Sequence, residues 1–229
     1  MFRIAQDNKE LKSFAGFSIS APSGFAGSYG GGAIGLGGSL AGSTLDGGFS
    51  IGGGFGDANN GLGGSVGVSV PSVSFDGGFF EKGSLNLSVG HNFMDQLAGV
   101  SVGMTGLDIW RSSAATQLDP SFYISASKAL NVFFPTILTA GIGSHTFAKA
   151  TNGIYSKDKF GAFFGLGFYF HPQVAVAIDY ASEVTTFALN LAPAPDYPVT
   201  LALGVNGFFK ENKNEELTFV SSVGWGFNY

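Results

Sequence analysis

The chain has 229 residues, a formal net charge of −5 and no cysteine, so it can form one large domain but no disulfide or cysteine-based metal site. Charged residues make up only 12% of it, about half the share of an average soluble domain, and the acidic balance gives nucleic acid no reason to bind. No run of 18 apolar residues is present, which excludes a transmembrane helix by length.

Residues 1–29 precede the first segment with regular alternation, and they lack the apolar stretch of a signal peptide. Three arrangements are consistent with this segment: a disordered tail, a short helix around residues 3–14, or a plug folded into the rest of the structure. Phe14, Phe17, Ile19 and Phe25 are too apolar for a solvated tail, which favours contact with an interior surface.

The remainder of the chain, residues 30–229, alternates bulky apolar residues with glycine, serine, alanine, threonine and asparagine. Such a period of two is typical of β-strands, whose successive side chains point to opposite faces. Twelve segments show it: 34–41, 49–56, 62–70, 85–90, 99–104, 122–127, 138–143, 160–170, 174–179, 187–192, 199–206 and 217–229. The pattern predicts about twelve strands and an all-β fold.

The chemistry of the two faces favours a membrane barrel over a soluble sandwich. A soluble sandwich also alternates, but it needs long polar side chains outside and bulky ones inside. Here the second face is too small to fill a core and too uncharged to solubilise a surface. We therefore predict a closed antiparallel up-and-down transmembrane β-barrel, with bulky residues facing lipid and small residues lining a polar lumen.

Turns and charges fit this interpretation. Short connections alternate with mostly longer or more charged ones, and aromatic residues flank both sets, as two membrane interfaces require. The predicted aromatic girdles are Phe93, Phe133, Phe134, Tyr169, Phe170 and Tyr197 at one end, and Phe79, Phe80, Trp110, Phe147, Phe208 and Phe209 at the other. Within the predicted strands, Asp108 and Lys128 share the outward parity near strand ends, whereas Asp179 has the inward parity.

The C-terminal stretch LTFVSSVGWGFNY resembles the last strand of bacterial outer-membrane β-barrels, with Tyr229 last and Phe227, Trp225 and Val223 on one face. Ser221 departs from that apolar pattern. The resemblance implies an outer-membrane location after removal of a signal peptide that this chain does not contain. It also implies recognition of the final strand by the barrel-assembly machinery. Membrane lipids are expected partners, and self-association through the glycine-rich first strands is a further expectation.

A twelve-stranded barrel with small inward residues should keep a cavity, so a porin-like channel for passive diffusion of small hydrophilic solutes is the leading functional hypothesis. Four inward polar residues are its candidate pore-lining groups: Asn86, Asp179, Asn190 and Asn206. Strong ion selectivity is not expected, because no inward ring of charge is visible. The alternative is a non-conducting structural or surface-interaction barrel whose lumen the N-terminal segment closes.

An enzyme is not expected. The lipid-modifying enzymes that share this architecture place a histidine and a serine two residues apart on one strand face, and His91, His145 and His171 lack such a partner. No sequence motif for a metal, a nucleotide or another cofactor stands out, since the glycines near residue 30 precede a strand and not a helix. We therefore predict no catalytic residues, no metal site and no cofactor.

Overall fold

The computed structural model describes residues 15–70, 80–112, 119–131, 133–148, 150–151, 154–155, 159–194, 196–207 and 217–229. Twelve strands of this part form a closed antiparallel barrel, which confirms the predicted fold class. They are β1 (Gly31–Ala41), β2 (Thr44–Gly56), β3 (Gly63–Val70), β4 (Lys82–Phe93), β5 (Ala98–Arg111), β6 (Ser121–Asn131), β7 (Pro135–Ser144), β10 (Phe160–His171), β11 (Val174–Ala181), β12 (Val184–Leu191), β13 (Val199–Asn206) and β14 (Thr218–Asn228). Strands β8 (Ala150–Thr151) and β9 (Ile154–Tyr155) form a separate two-stranded hairpin.

Each barrel strand pairs with its neighbours in the chain, and the pairing of β1 with β14 closes the ring. The closing pair runs from Gly31 opposite Asn228 to Ala41 opposite Thr218. We call the end where β1 begins and β14 ends the proximal end, and the opposite end the distal end. Closure leaves no unpaired strand edge, which is the condition for a sheet to cross hydrocarbon. In the described ranges, no helix has the length and apolarity needed to cross a membrane.

Strand β6 shows how the sequence pattern becomes two faces. Phe122 and Ile124 are exposed on the outside of the barrel, whereas Ser125 and Ser127, which follow them at the opposite parity, are buried inside. Large apolar side chains therefore face outward and small polar ones face inward. This is the reverse of a soluble protein and the arrangement expected of a barrel in lipid.

One strand breaks the simple alternation and corrects a predicted orientation. Gly106 has a positive φ of 76°, and the register between β4 and β5 shifts there, so one extra residue in β5 reverses the facing of Leu107 and Asp108, until a second shift before Trp110 restores it. Asp108 consequently lies opposite the buried Ser84 and faces inward, where its carboxylate is 3.0 Å from the Lys82 ammonium. The prediction of an outward Asp108 is wrong because a bulge is invisible to parity counting.

The aromatic girdles also need correction. Tyr169 and Phe147 do not face the membrane interface: both are buried inside the barrel. Phe93, Phe133, Phe134, Phe170 and Tyr197 are exposed at the proximal end, as are Phe80 and Trp110 at the distal end. Phe79, Phe208 and Phe209 lie outside the described residues. The proximal girdle therefore keeps five of its six predicted members.

Candidate functional site

Residues 15–29, which we call the lumen segment, lie inside the barrel and form a U. The segment starts at the proximal end, where the Ala15 N–H donates to the Pro172 carbonyl (3.1 Å), and returns there at Tyr29, whose N–H donates to the Gly56 carbonyl (2.9 Å). Its two legs meet through Phe17 and Phe25, whose rings are edge-on with centroids 6.4 Å apart. Both ends of the described segment are thus held at the proximal rim.

The deepest part of the U is held by one carboxylate on β11. Oδ2 of Asp179 accepts hydrogen bonds from the Ser18 hydroxyl (3.0 Å), the Ile19 N–H (2.6 Å) and the Ser20 N–H (2.9 Å). Asp179 is 1% exposed, so these donors replace the water that Oδ2 would otherwise bind. This contact is the strongest polar attachment of the lumen segment to the wall.

The returning leg is attached by hydroxyls on β5 and β6. Three serine side chains do this: Ser125 Oγ donates to the Pro22 carbonyl (2.7 Å), Ser101 Oγ donates to the Ser23 carbonyl (2.7 Å), and Ser127 Oγ accepts from the Gly24 N–H (2.8 Å). Gly24 is required by the close approach, because a Cβ there would lie 2.3 Å from the Ser127 backbone nitrogen. The segment and this wall are therefore matched atom to atom.

Asn92 on β4 completes the attachment near the proximal rim. Its side-chain oxygen accepts from the Ala26 N–H (2.9 Å), and its amide nitrogen donates to the Ala26 carbonyl (3.1 Å). Such a two-way pairing imitates the bonds between neighbouring strands. A proximal apolar cluster of Ala15, Ile137 and Tyr169 packs beneath the legs, and the Tyr169 hydroxyl donates to the Ala15 carbonyl (2.9 Å).

A second element enters the lumen from the distal end. After β7, a single turn of 3-10 helix, His145–Phe147, folds inward. It is fixed by the Thr146 hydroxyl, 2.7 Å from the Ser121 hydroxyl, and by the Ser182 hydroxyl, which donates to the Thr146 carbonyl. Phe147 stacks on the fully buried Phe163 with ring centroids 5.0 Å apart.

The two inward elements meet in the middle of the barrel. Ala21 at the apex of the lumen segment belongs to one apolar cluster with Phe147 and Phe163, and Tyr123 packs against that cluster. The part of the lumen along β5–β12 is therefore filled from both ends. We call this the covered wall.

The opposite part of the lumen, along β14 and β1–β3, stays open in the described structure, and we call it the open wall. Three cavities follow one another along it, of about 820, 370 and 250 Å³. The first reaches the proximal rim at Asn228 and shares Ser50 with the second. The second shares Gly37 and Gly48 with the third, which reaches Asp46 near the distal turn.

The inward side chains of these cavities are small and almost uncharged. Ser65 and Ser88 hydroxyls are 2.8 Å apart across two strands, and the Asn86 amide donates to the Ser69 hydroxyl (3.1 Å). Among the described residues that line the three cavities, Asp46 is the one charged side chain. The open wall therefore offers hydroxyl, amide and backbone groups to a passing molecule, with little net charge.

The four predicted pore-lining residues fall in different environments. Asn86 borders the 820 Å³ cavity. Asp179 and Asn190 lie beneath the lumen segment and are almost fully buried, with Asp179 holding residues 18–20 as described. Asn206 accepts from the Thr186 hydroxyl (2.8 Å) on the neighbouring strand. The structure does not bring the four together, and a pore-lining role stays a prediction for each.

Sequence reasoning missed three aromatic residues that point inward, Phe163, Tyr169 and Phe147, whereas parity places Tyr123 inward with Ser125 and Ser127. Phe163 and Tyr169 lie at positions of β10 whose parity otherwise carries small residues. Their large side chains at these positions of residues 160–170 are the sequence signal for an inward aromatic. Phe147 carries no such signal, because it follows the strand. Among the described residues, no group of three His, Cys, Asp or Glu side chains could hold a metal ion.

No known protein family matches the sequence, and no curated protein matches it either. Solved structures do match: the NanC porin aligns over 84% of this chain and 98% of its own, with a TM-score of 0.49 and 12% identity. A mutant of the Rh. blastica porin aligns over 87% and 98% (TM-score 0.38, 12% identity), and Pseudomonas putida OprB over 87% and 92% (TM-score 0.28, 11% identity).

Proposed function

We propose that this protein is a porin-like channel of a bacterial-type outer membrane, through which small hydrophilic solutes diffuse passively along the open wall. The observation that carries the proposal is the series of three cavities, which share wall residues from the proximal rim at Asn228 to Asp46 near the distal end. A barrel whose lumen served only as a scaffold would gain from filling this space with side chains, as smaller barrels do.

The lining supports neutral solutes over ions. A cation or anion in a narrow pore needs opposite charge or many oriented dipoles to replace its water, and the described lining holds one acidic side chain, Asp46. Hydroxyl and amide groups can instead exchange hydrogen bonds with sugars, polyols or similar uncharged molecules. Weak cation preference from Asp46 and little discrimination among small neutral solutes are the properties proposed.

The competing hypothesis is a non-conducting barrel that the lumen segment and the His145–Phe147 turn close. The lumen segment and the turn fill the lumen beside the covered wall. Among the described residues, however, neither element contributes a bulky side chain to the 370 Å³ cavity lined by Gly37 and Ser50. The two hypotheses differ in one measurable quantity, the conductance of the complete chain in a lipid bilayer.

A matched pair of tryptophan variants tests the channel. Ser50 lies in two of the cavities and faces the lumen, whereas the next residue, Ile51, is exposed on the lipid face. Ser50→Trp should reduce single-channel conductance and slow sugar uptake in liposome-swelling assays, because the indole fills the path. Ile51→Trp adds the same side chain outside and should leave both unchanged. No conductance in the parent chain, or equal conductance in the two variants, would contradict the proposal.

We also propose three kinds of partner for the barrel: membrane lipids, the barrel-assembly machinery and a second copy of the chain. Membrane lipids would surround the exposed apolar belt, and the barrel-assembly machinery would recognise the last strand, whose final Tyr229 packs edge-on against Tyr29 with ring centroids 5.3 Å apart. Self-association through β1 and β2 would use the glycine-rich outer surface near Gly38 and Gly47. Chemical cross-linking in detergent would test this association.

A further inference from the structure

The outer surface of the barrel carries a depression that the channel does not use. It has a volume of about 640 Å³ and spans β5, β6, β7, β10 and β11 on the lipid-facing side. Pockets that bind small organic ligands usually measure roughly 300–1,000 Å³. We name it the lateral groove.

Small residues at two adjacent outward positions create the groove. Ala126 on β6 and Ala140 on β7 are directly paired in register and form its floor. Their neighbours in the same row are Val100 on β5 and Phe164 on β10, which stand up as its sides. The floor is therefore the result of two alanines in a row that otherwise carries large side chains.

The rows on either side close the groove along the strands. Toward the distal end, Ile124 and Ile142 are paired and exposed. Toward the proximal end, Leu138 is paired with Lys128. The groove is thus a depression bounded on all sides by larger side chains, and not an extended flat region of the outer surface.

Lys128 places a positive charge at the proximal end of the groove. It faces outward near the proximal end of β6, and among the described residues it makes no ion pair. It lies three residues before Asn131, the proximal end of β6, which is about 10 Å of strand. From there its ammonium can reach the polar headgroup region along its own apolar stem.

We propose that the lateral groove binds one acyl chain of an anionic phospholipid, whose phosphate pairs with the Lys128 ammonium. Apolar walls match the chain, and the single cation at the proximal rim matches the phosphate by charge. A zwitterionic lipid would fit the groove equally well but would offer less net negative charge to Lys128. This inference rests on the proposed membrane location and not on conduction through the lumen.

Native mass spectrometry of the full chain in detergent tests the site, with phosphatidylglycerol and phosphatidylcholine of identical acyl chains as probes. The parent should retain one phosphatidylglycerol more tightly than phosphatidylcholine. Lys128→Gln should weaken phosphatidylglycerol binding about fivefold, the factor that corresponds to ~1 kcal/mol for one lysine at an anionic lipid surface, and remove the preference. Lys159→Gln removes an exposed cation outside the groove and should change neither.

A second variant tests the apolar part. Ala126→Leu with Ala140→Leu fills the floor and should weaken both lipids alike, whereas Val205→Leu, which enlarges an outward side chain of β13 opposite the exposed Phe219, should not. Equal retention of both lipids by the parent, unchanged binding by Lys128→Gln, or a dimer that excludes lipid from the groove would overturn the proposal. If the double variant does not fold, the Lys128→Gln result still decides. Conductance measured on the same samples keeps a failure of the channel separate from a failure of the lipid site.

Discussion

The covered wall and the open wall are built from the same kinds of residue, yet they end in opposite environments. On β6 the inward Ser125 and Ser127 are buried under the lumen segment. On β2 the lumen segment reaches Gly54 and Gly56 near the proximal end, and it leaves the inward Ser50 exposed, as the outward Ile51 is. The presence of small polar residues therefore does not by itself decide whether a part of the barrel wall is accessible to solvent.

The hydrogen-bond partners of the inward side chains decide which wall is covered. The covered wall carries Asp179 and the serines of β5 and β6, and the adjoining β4 carries Asn92; each of these side chains hydrogen-bonds a backbone group of the lumen segment. On the open wall, Ser65 and Ser69 of β3 bond instead to Ser88 and Ser84 of the adjoining β4. Polar side chains that are already hydrogen-bonded within the sheet do not require a covering segment. This part of the lumen therefore stays accessible to water and solute.

The largest expected effect comes from removing the difference between the walls. Deletion of residues 1–29 uncovers Asp179 and the serines that hold the lumen segment, and it should raise single-channel conductance roughly twofold or more, since the pore widens across its section. Deletion of residues 1–14 alone retains every described contact of the lumen segment and serves as the control. Equal conductance of the two deletion variants would mean that the segment does not limit flow.

Loss of the Asp179 carboxylate should loosen the segment without removing it. Hydrogen bonds to a charged group contribute ~1.5–3 kcal/mol each, and Asp179 accepts three. The chain has no cysteine, so a single Ala21→Cys provides a unique thiol at the buried apex of the segment. Asp179→Ala should make that thiol react faster with a maleimide. Asn206→Ala removes a polar wall residue that bonds to Thr186 of the neighbouring strand and should not speed the reaction, so similar rates for the two variants would contradict the anchoring role.

The distal filling of the covered wall can be weakened at Phe163. Its ring is fully buried against Phe147, and replacement of a buried phenylalanine by alanine costs about 3–5 kcal/mol. Phe163→Ala should therefore lower the midpoint of urea unfolding in detergent or lipid. Phe160→Ala, at an exposed outward position of the same strand, is the matched control. A smaller shift for Phe163 than for Phe160 would contradict the packed aromatic cluster.

The smallest effect concerns the proximal turn that supports the exit of the lumen segment. The side-chain amide of Asn60, with the N–H groups of Asn60 and Asn59, donates to the Asp57 carboxylate and lowers its pKa below the ordinary value of 3.8. Because the folded-state pKa is depressed, these bonds contribute fully above pH 3.8 and are lost as pH falls through the lowered value.

Hydrogen exchange of the amides in residues 57–61 should therefore accelerate only in that acidic range. Asp57→Asn should show the faster exchange at neutral pH and little change on acidification. A parent chain whose exchange in this turn is independent of pH, after correction for the intrinsic rates, would rule out the carboxylate as its support.

Much of the barrel could be predicted because its rule is local. Alternation places Ser125 inward and Ile124 outward whatever else the chain does, and turn composition sorts the two ends. The rule fails where one residue is inserted, as at Gly106, since a bulge reverses the facing of Asp108 without changing composition. It also fails for Phe147, which follows a strand and turns back into the lumen.

The sequence by itself determined an all-β barrel of about twelve strands with its bulky side chains outside, because the period of two and the size contrast between faces act residue by residue. Only the tertiary structure decided which half of the lumen is occupied, since that depends on donors and acceptors separated by up to 161 residues, as Ser18 and Asp179 are. Contacts of that range follow from how the closed ring positions its walls, and no local pattern in the chain encodes them.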